Sequence, residues 1–81
     1  MLKKADSSMI KGYRYDEKTG NLHIQFSSGK QYVYVDVDKS VAEGLISAPS
    51  MGKFFSEHIR RGDYQYKIEK SEEIEEKKDG V

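Results

Sequence analysis

Four consecutive residues, Ser50-Met51-Gly52-Lys53, put a hydroxyl, a glycine and an amine where a helix is expected to begin. A helix start offers unpaired backbone N–H groups and positive dipole, so a phosphate can sit there. Gly52 would let it approach closely, and Lys53 would add charge. The first glycine and the spacing of a P-loop are missing. The competing explanation is structural: Ser50 caps the helix, and Gly52 makes room for the sheet or for Pro49. Further along, Arg60-Arg61 with Lys53 and Lys67, and Tyr64 or Tyr66 beside them, form a basic stripe with interleaved aromatics. Such a stripe suits phosphate contacts plus base stacking. Its bland counterpart is surface charge that complements the negative end of a helix dipole.

His23 and His58 are the two histidines. Neither has a second nitrogen ligand at metal spacing, and no triad pattern surrounds them. Glu57 cannot share a face with His58, because helical neighbours point about 100° apart. Asp36 and Asp38 fall at a strand end and a helix cap, which is no general acid/base pair. No catalytic residue, metal site or cofactor is therefore expected.

The elements that must position these residues fit one small domain of 81 residues. Cysteine is absent, so disulfides and thiolate sites are excluded. No apolar run nears the roughly 20 residues of a membrane span. The opening MLKKADSS has two lysines and no apolar stretch after them, so neither signal peptide nor membrane partner is expected, and a cytoplasmic location is. The formal net charge is zero, yet it is unevenly spread. Residues 9–68 hold nine Lys/Arg and seven Asp/Glu, and residues 69–81 hold three lysines and six acids. A body with two surplus positive charges permits phosphate contacts but lacks the strongly basic footprint of a dedicated nucleic-acid binder.

Residues 1–6 read as a flexible arm. Met9–Tyr15, Leu22–Phe26 and Tyr32–Val37 carry strand patterns, with turns at Asp16–Asn21 and Ser27–Gly29. Gly20-Asn21 is expected to supply positive-φ residues. Val41, Ala42, Leu45, Ile46 and Ala48 are spaced for one helical face behind an Asp38 cap, and Ala48-Pro49 ends that helix. Gly44 within it would allow close approach to the sheet. A second helix runs from Met51 to Arg60, with Gly62 as a left-handed stop. Asp63–Ile68 is a short edge strand, and residues 69–81 a charged, flexible tail. The fold class is α+β: a three-stranded antiparallel meander with two helices on one face and a short final strand. The domain proper spans residues 7–68.

The two tyrosines of Gln31-Tyr32-Val33-Tyr34-Val35 are either a stacking platform or part of the core, and the hairpin register decides. A two-residue turn at Ser28-Gly29 would turn them away from Leu22, Ile24 and Phe26. A three-residue turn with Gly29 as a left-handed bulge pairs Ile24 with Tyr32 and Leu22 with Tyr34. The second is preferred, since Ser-Gly suits neither common two-residue turn. Leu22, Ile24, Phe26, Tyr32 and Tyr34 then join Leu45, Phe55 and Ile59 in the core. His23, Gln25, Gln31, Val33 and Val35 face water.

Tyr15-Asp16, Leu22 with Phe26, Gly29 with Tyr32-Val33-Tyr34, Val37, Leu45, Ala48-Pro49-Ser50, Gly52, Phe54-Phe55, Ile59-Arg60 and Tyr64 together resemble the KTSC domain. That module is found at the C-terminus of some lysyl-tRNA synthetases and as a free-standing bacterial or phage protein. The likeness covers about residues 7–66. Asp38 replaces a frequent Pro, and Ser56 a frequent Asn. The family has no established activity, and its suggested RNA binding rests on the synthetase association. The resemblance implies a non-catalytic accessory module. RNA would be held weakly through Lys53, Arg60 and Arg61, with Tyr64 as a stacker. Two other readings stand beside it: a protein-interaction or self-associating module using Val33 and Val35 or a strand edge, and a binder of a small phosphorylated ligand at Ser50, Gly52 and Lys53.

Overall fold

A computed structural model describes residues 1–75. Five strands form one antiparallel sheet in the order β1-β2-β3-β4-β5. They are β1 (Lys3–Lys4), β2 (Ile10–Asp16), β3 (Asn21–Phe26), β4 (Gln31–Tyr34) and β5 (Tyr66–Glu69). Between β4 and β5 run α1 (Lys39–Ser47) and α2 (Met51–Phe54), the latter continuing as a wider π-helical turn over Phe55–Arg60. The α+β class agrees with the sequence expectation. The strand count differs: the sheet has five strands, because the short final strand expected over Asp63–Ile68 pairs as β5 and an unexpected strand, β1, forms the other edge. No helix among the described residues is long and apolar enough to cross a membrane.

The β3–β4 hairpin sets the faces. Gly29 takes φ 95°, where side chains other than hydrogen are strained. The Phe26 N–H donates to the Lys30 carbonyl at 2.9 Å, and the Gly29 N–H to the Phe26 carbonyl at 2.8 Å. Ile24 therefore faces Tyr32, and Leu22 faces Tyr34. Leu22, Ile24 and Tyr34 are buried with Leu45, Phe55 and Ile59, while Phe26 and Tyr32 are half-buried against that cluster. β4 stops at Tyr34, three residues short of the expected end. The cause is Asp36, whose φ of 55° swings the chain away. Val37 then buries itself and donates its N–H to the Gly20 carbonyl, and the Tyr15 hydroxyl donates to the Val37 carbonyl at 2.6 Å. At the β2–β3 turn only Gly20 has positive φ; Asn21 already belongs to β3.

The helices obey their expected starts in different ways. Ser50 Oγ accepts the Lys53 N–H at 3.3 Å. Asp38 caps α1 with its backbone carbonyl alone. Gly44 opens toward the second helix rather than the sheet: an added Cβ would lie 2.7 Å from Phe54 Cζ. Gly62 is no left-handed stop either. A Cβ there would meet the Tyr64 ring at 2.8 Å and the His58 carbonyl at 2.9 Å, so glycine serves close packing.

The opposite face was expected to meet water, yet His23, Gln25 and Gln31 are buried. Both presumed free ends cover it. Leu2 is fully buried and would contact any Cβ on Gly12. Its N–H donates to the Glu73 carbonyl at 2.9 Å, and its carbonyl accepts from Glu75 at 2.7 Å. β5 runs to Glu69, and residues 70–75 cross back over the sheet to pair with Leu2 beside Ile74. The arm at 1–6 and the start of the tail at 69–75 thus belong to the packed domain; residues 76–81 of that tail lie outside the described residues.

Glu72 is the hub of this second face. Its Oε2 accepts from Arg14 Nη2 at 2.9 Å and from Gln31 Nε2 at 2.8 Å. Its backbone N–H donates to Gln31 Oε1 at 2.8 Å, and its carbonyl accepts from Gln25 Nε2 at 2.9 Å. The Arg14 guanidinium, helped by Gln31 and outweighing partial burial, holds the Glu72 carboxyl at about 2 against an ordinary 4.5. A depressed carboxyl stabilises the fold fully above its unfolded value and loses that contribution as pH falls through the folded one. Urea denaturation should therefore show stability falling between about pH 5 and pH 2. Glu72→Gln should flatten this acid limb and cost roughly 1.5–3 kcal/mol at neutral pH. Gly44→Ala should lower the melting temperature despite a better helix propensity, because overpacking against Phe54 costs about 1–3 kcal/mol.

Candidate nucleic-acid interface

A groove of about 580 Å³ opens where β4 and β5 meet the π-helical turn. Strand alternation sends Tyr32 and Tyr34 of β4 toward the helices, and the β4–β5 register sets Tyr66 opposite Tyr34. Tyr34 is its floor. It is 6% exposed, and its ring meets Phe55 edge-on at 5.6 Å. Burial, reinforced by the neighbouring tyrosines, pushes its phenol up to about 12. It stays neutral and serves as core.

Tyr32 forms the wall. It stacks on Tyr66 at 5.4 Å with 14° between planes, and on Tyr34 at 6.4 Å with 28°. Phe26 closes its other side edge-on at 5.5 Å. Tyr66 is the rim, 57% exposed. The three tyrosines make a short ladder of rings that runs from core to solvent. Tyr64 lies on the loop opposite, held in place through Gly62. Lys30, at the hairpin, and Arg60, at the end of the helix, are both exposed and supply positive charge to the groove.

The expected site residues divide. Arg60 and Tyr64 come together in this groove. Arg61 is exposed but does not line it. Ser50, Gly52 and Lys53 line a separate cavity of about 450 Å³ with Ser7, Ser8 and Ser56. Its hydroxyls are partly spent: Ser50 caps its helix, and Ser7 Oγ accepts from the Met9 and Ile10 N–H groups at 3.2 and 3.3 Å. Gly52 makes room for Met9, whose Cβ would stand 3.3 Å from an added Cβ. Met9 lines both cavities. Lys30 was not expected as a site residue, and Tyr66 was expected only as an alternative to Tyr64 beside the basic stripe. The alternation of Tyr64, Tyr66 and Ile68 carries the signal for Tyr66, once β5 is paired with β4 in the observed register. His58 tilts over Phe54 with ring centres 4.2 Å apart, and His23 lies on the far face with Glu69.

Known proteins share this architecture. A crystal structure of a KTSC domain protein from Yersinia pestis superposes with a TM-score of 0.76 at 28% identity, covering 84% of this chain and 94% of that one. A lysine–tRNA ligase of Nostoc sp. strain PCC 7120 is 42% identical over 65 residues. That stretch is 80% of this chain but 11% of the ligase, so the chain spans about a tenth of the enzyme's length. An uncharacterized protein of Stutzerimonas stutzeri is 33% identical over 60 residues, 74% of this chain and 84% of that protein. The model of the KTSC domain matches residues 6–66, a span that includes the bulged hairpin, both helices and the start of β5, and the chain accordingly belongs to the KTSC domain family.

Proposed function

We propose that this domain is a non-catalytic accessory module that binds single-stranded RNA weakly, in the groove between β4, β5 and the π-helical turn. The observation that carries the reading is the tyrosine ladder opening beside Lys30 and Arg60. Phosphates would contact Arg60 and Lys30. An unstacked base would lie on the exposed ring of Tyr66 or against Tyr64. Stacking on aromatic faces tolerates any base, so sequence preference would be slight. Two groove cations predict affinity in the non-specific range, on the order of 10⁻⁴–10⁻⁶ M at physiological salt. The likeness to proteins named lysine–tRNA ligases supports an RNA partner, although it covers 11% of one such enzyme. The groove offers rings and cations, which bind, rather than an acid and a base, which would turn over a substrate.

An anisotropy titration with a short fluorescent RNA tests this. Binding should weaken steeply between about 50 and 200 mM salt, with a log–log slope near −0.7 per phosphate neutralised. Arg60→Ala should reduce that slope by about one phosphate. Tyr66→Ala should cost about 1–3 kcal/mol while leaving the slope unchanged. No binding at low salt, or binding indifferent to both substitutions, would sink the proposal.

A further inference from the structure

The face of the sheet away from the helices holds a group of side chains that the groove does not use. One ring nitrogen of His23 and one carboxylate oxygen each of Glu69 and Glu72 lie within 4.8 Å of one another. They are the one such set of three among the described residues. His23 is 9% exposed, and the two glutamates are half-buried. The Nδ1 atom is 2.5 Å from Glu69 Oε2. Between the carboxylates sits the side-chain amide of the fully buried Gln31, its Nε2 2.6 Å from Glu69 Oε2 and 2.8 Å from Glu72 Oε2. That NH₂ carries partial positive charge and occupies the place a cation would take. The arrangement is a convergence of one imidazole and two anions on one point.

We propose that His23, Glu69 and Glu72 form a three-ligand site for a divalent transition metal, with zinc the best match. Zinc takes imidazole nitrogen and carboxylate oxygen at about 2.0–2.2 Å in tetrahedral geometry. Three protein ligands leave the fourth position to water. Calcium and magnesium seek six or more oxygens and gain little from an imidazole. Two ligands stand on β3 and β5, which β4 holds apart at fixed spacing, and the third arrives on the returning chain. The ion would replace the Gln31 N–H contacts and tie residues 70–75 to the sheet. Arg14, 2.9 Å from Glu72 Oε2, competes with it for that carboxylate. The sequence expectation of no metal weighs only partners at short metal spacing around His23, and Glu69 stands 46 positions further along the chain. The proposal is independent of the RNA groove, which lies on the other face.

The intact chain, freed of metal with a chelator, tests it. Zinc at about a hundred times its Kd should raise the melting temperature by on the order of 10 °C, and magnesium at the same concentration should not. Cobalt should give the visible absorption of a tetrahedral site. Histidine-ring NMR should show zinc moving the His23 signals and leaving those of His58 in place. Glu69→Gln should abolish the thermal gain, while Arg14→Gln, which frees Glu72, should tighten zinc severalfold. Absence of both the zinc shift and the cobalt band in the folded wild type would overturn the proposal. So would a zinc response that moves His58 alone or survives Glu69→Gln undiminished.

Discussion

The left-handed backbone at Gly29 is the constraint on which the molecule turns. Side chains alternate along a strand, so a one-residue slip in the β3–β4 hairpin would exchange the two faces of β4 against β3. With Gly29 at φ 95°, the loop takes three residues and the register pairs Ile24 with Tyr32. One choice then fixes three consequences. Leu22, Ile24 and Tyr34 turn toward the helices. Tyr32 and Tyr34 come into line with Tyr66. His23, Gln25 and Gln31 turn to the other side. No Cβ clash enforces the glycine, since nothing lies within 4 Å of the place a Cβ would occupy. The requirement is conformational.

The two faces are then stabilised by different physics. The helix face buries apolar area and tolerates the three glycine-dependent approaches at Gly44, Gly52 and Gly62. The other face buries polar groups, which is costly unless each finds a partner. Gln31 finds four through its side chain: the Glu69 and Glu72 carboxylates, the Glu72 backbone and the Gln25 amide. Leu2 and Ile74 supply a small apolar seal at its edge, over Gly12. A network of shared partners is cooperative, and its one buried polar side-chain atom without a partner among the described residues is Arg14 Nε. Its weak point is the carboxylate of Glu72, the acceptor for Arg14 and Gln31 together.

Much of the helix face was legible in the sequence, because the information is local. The Ser27-Ser28-Gly29 turn, the alternation Leu22-His23-Ile24-Gln25-Phe26 and the Ser50 cap each work within a few residues. The other face was not legible, because its cover is remote. Nothing near His23 announces that Glu69 will stand 2.5 Å away, and nothing near Gly12 announces Leu2. The charged run after Ile68 has the composition of a solvated tail, with one isoleucine among acids and lysines. Composition averages over a segment, but packing here depends on three side chains of it: Glu69 meets His23, Glu72 meets Arg14, and Ile74 meets Leu2. The same reason hid Lys30 and left Tyr66 an alternative to Tyr64: Lys30 and Tyr66 join Arg60 and Tyr64 only when β5 closes against β4.

The family match ends at residue 66, while the packed structure continues through residue 75. This boundary separates the two faces. The groove is complete at Tyr66, so every ring and cation in it lies inside the family's span. The cover of the polar face, by contrast, comes from Leu2, Glu69, Glu72 and Ile74, all outside that span. A core face held within the family module and a polar face roofed by its flanks can therefore vary separately. Changes in residues 69–75 would alter the environment of Arg14, His23 and Gln31 without moving the tyrosine ladder, because β4 separates the two sets of side chains by the sheet itself. The groove and the glutamate hub are thus two independent properties of one hairpin register.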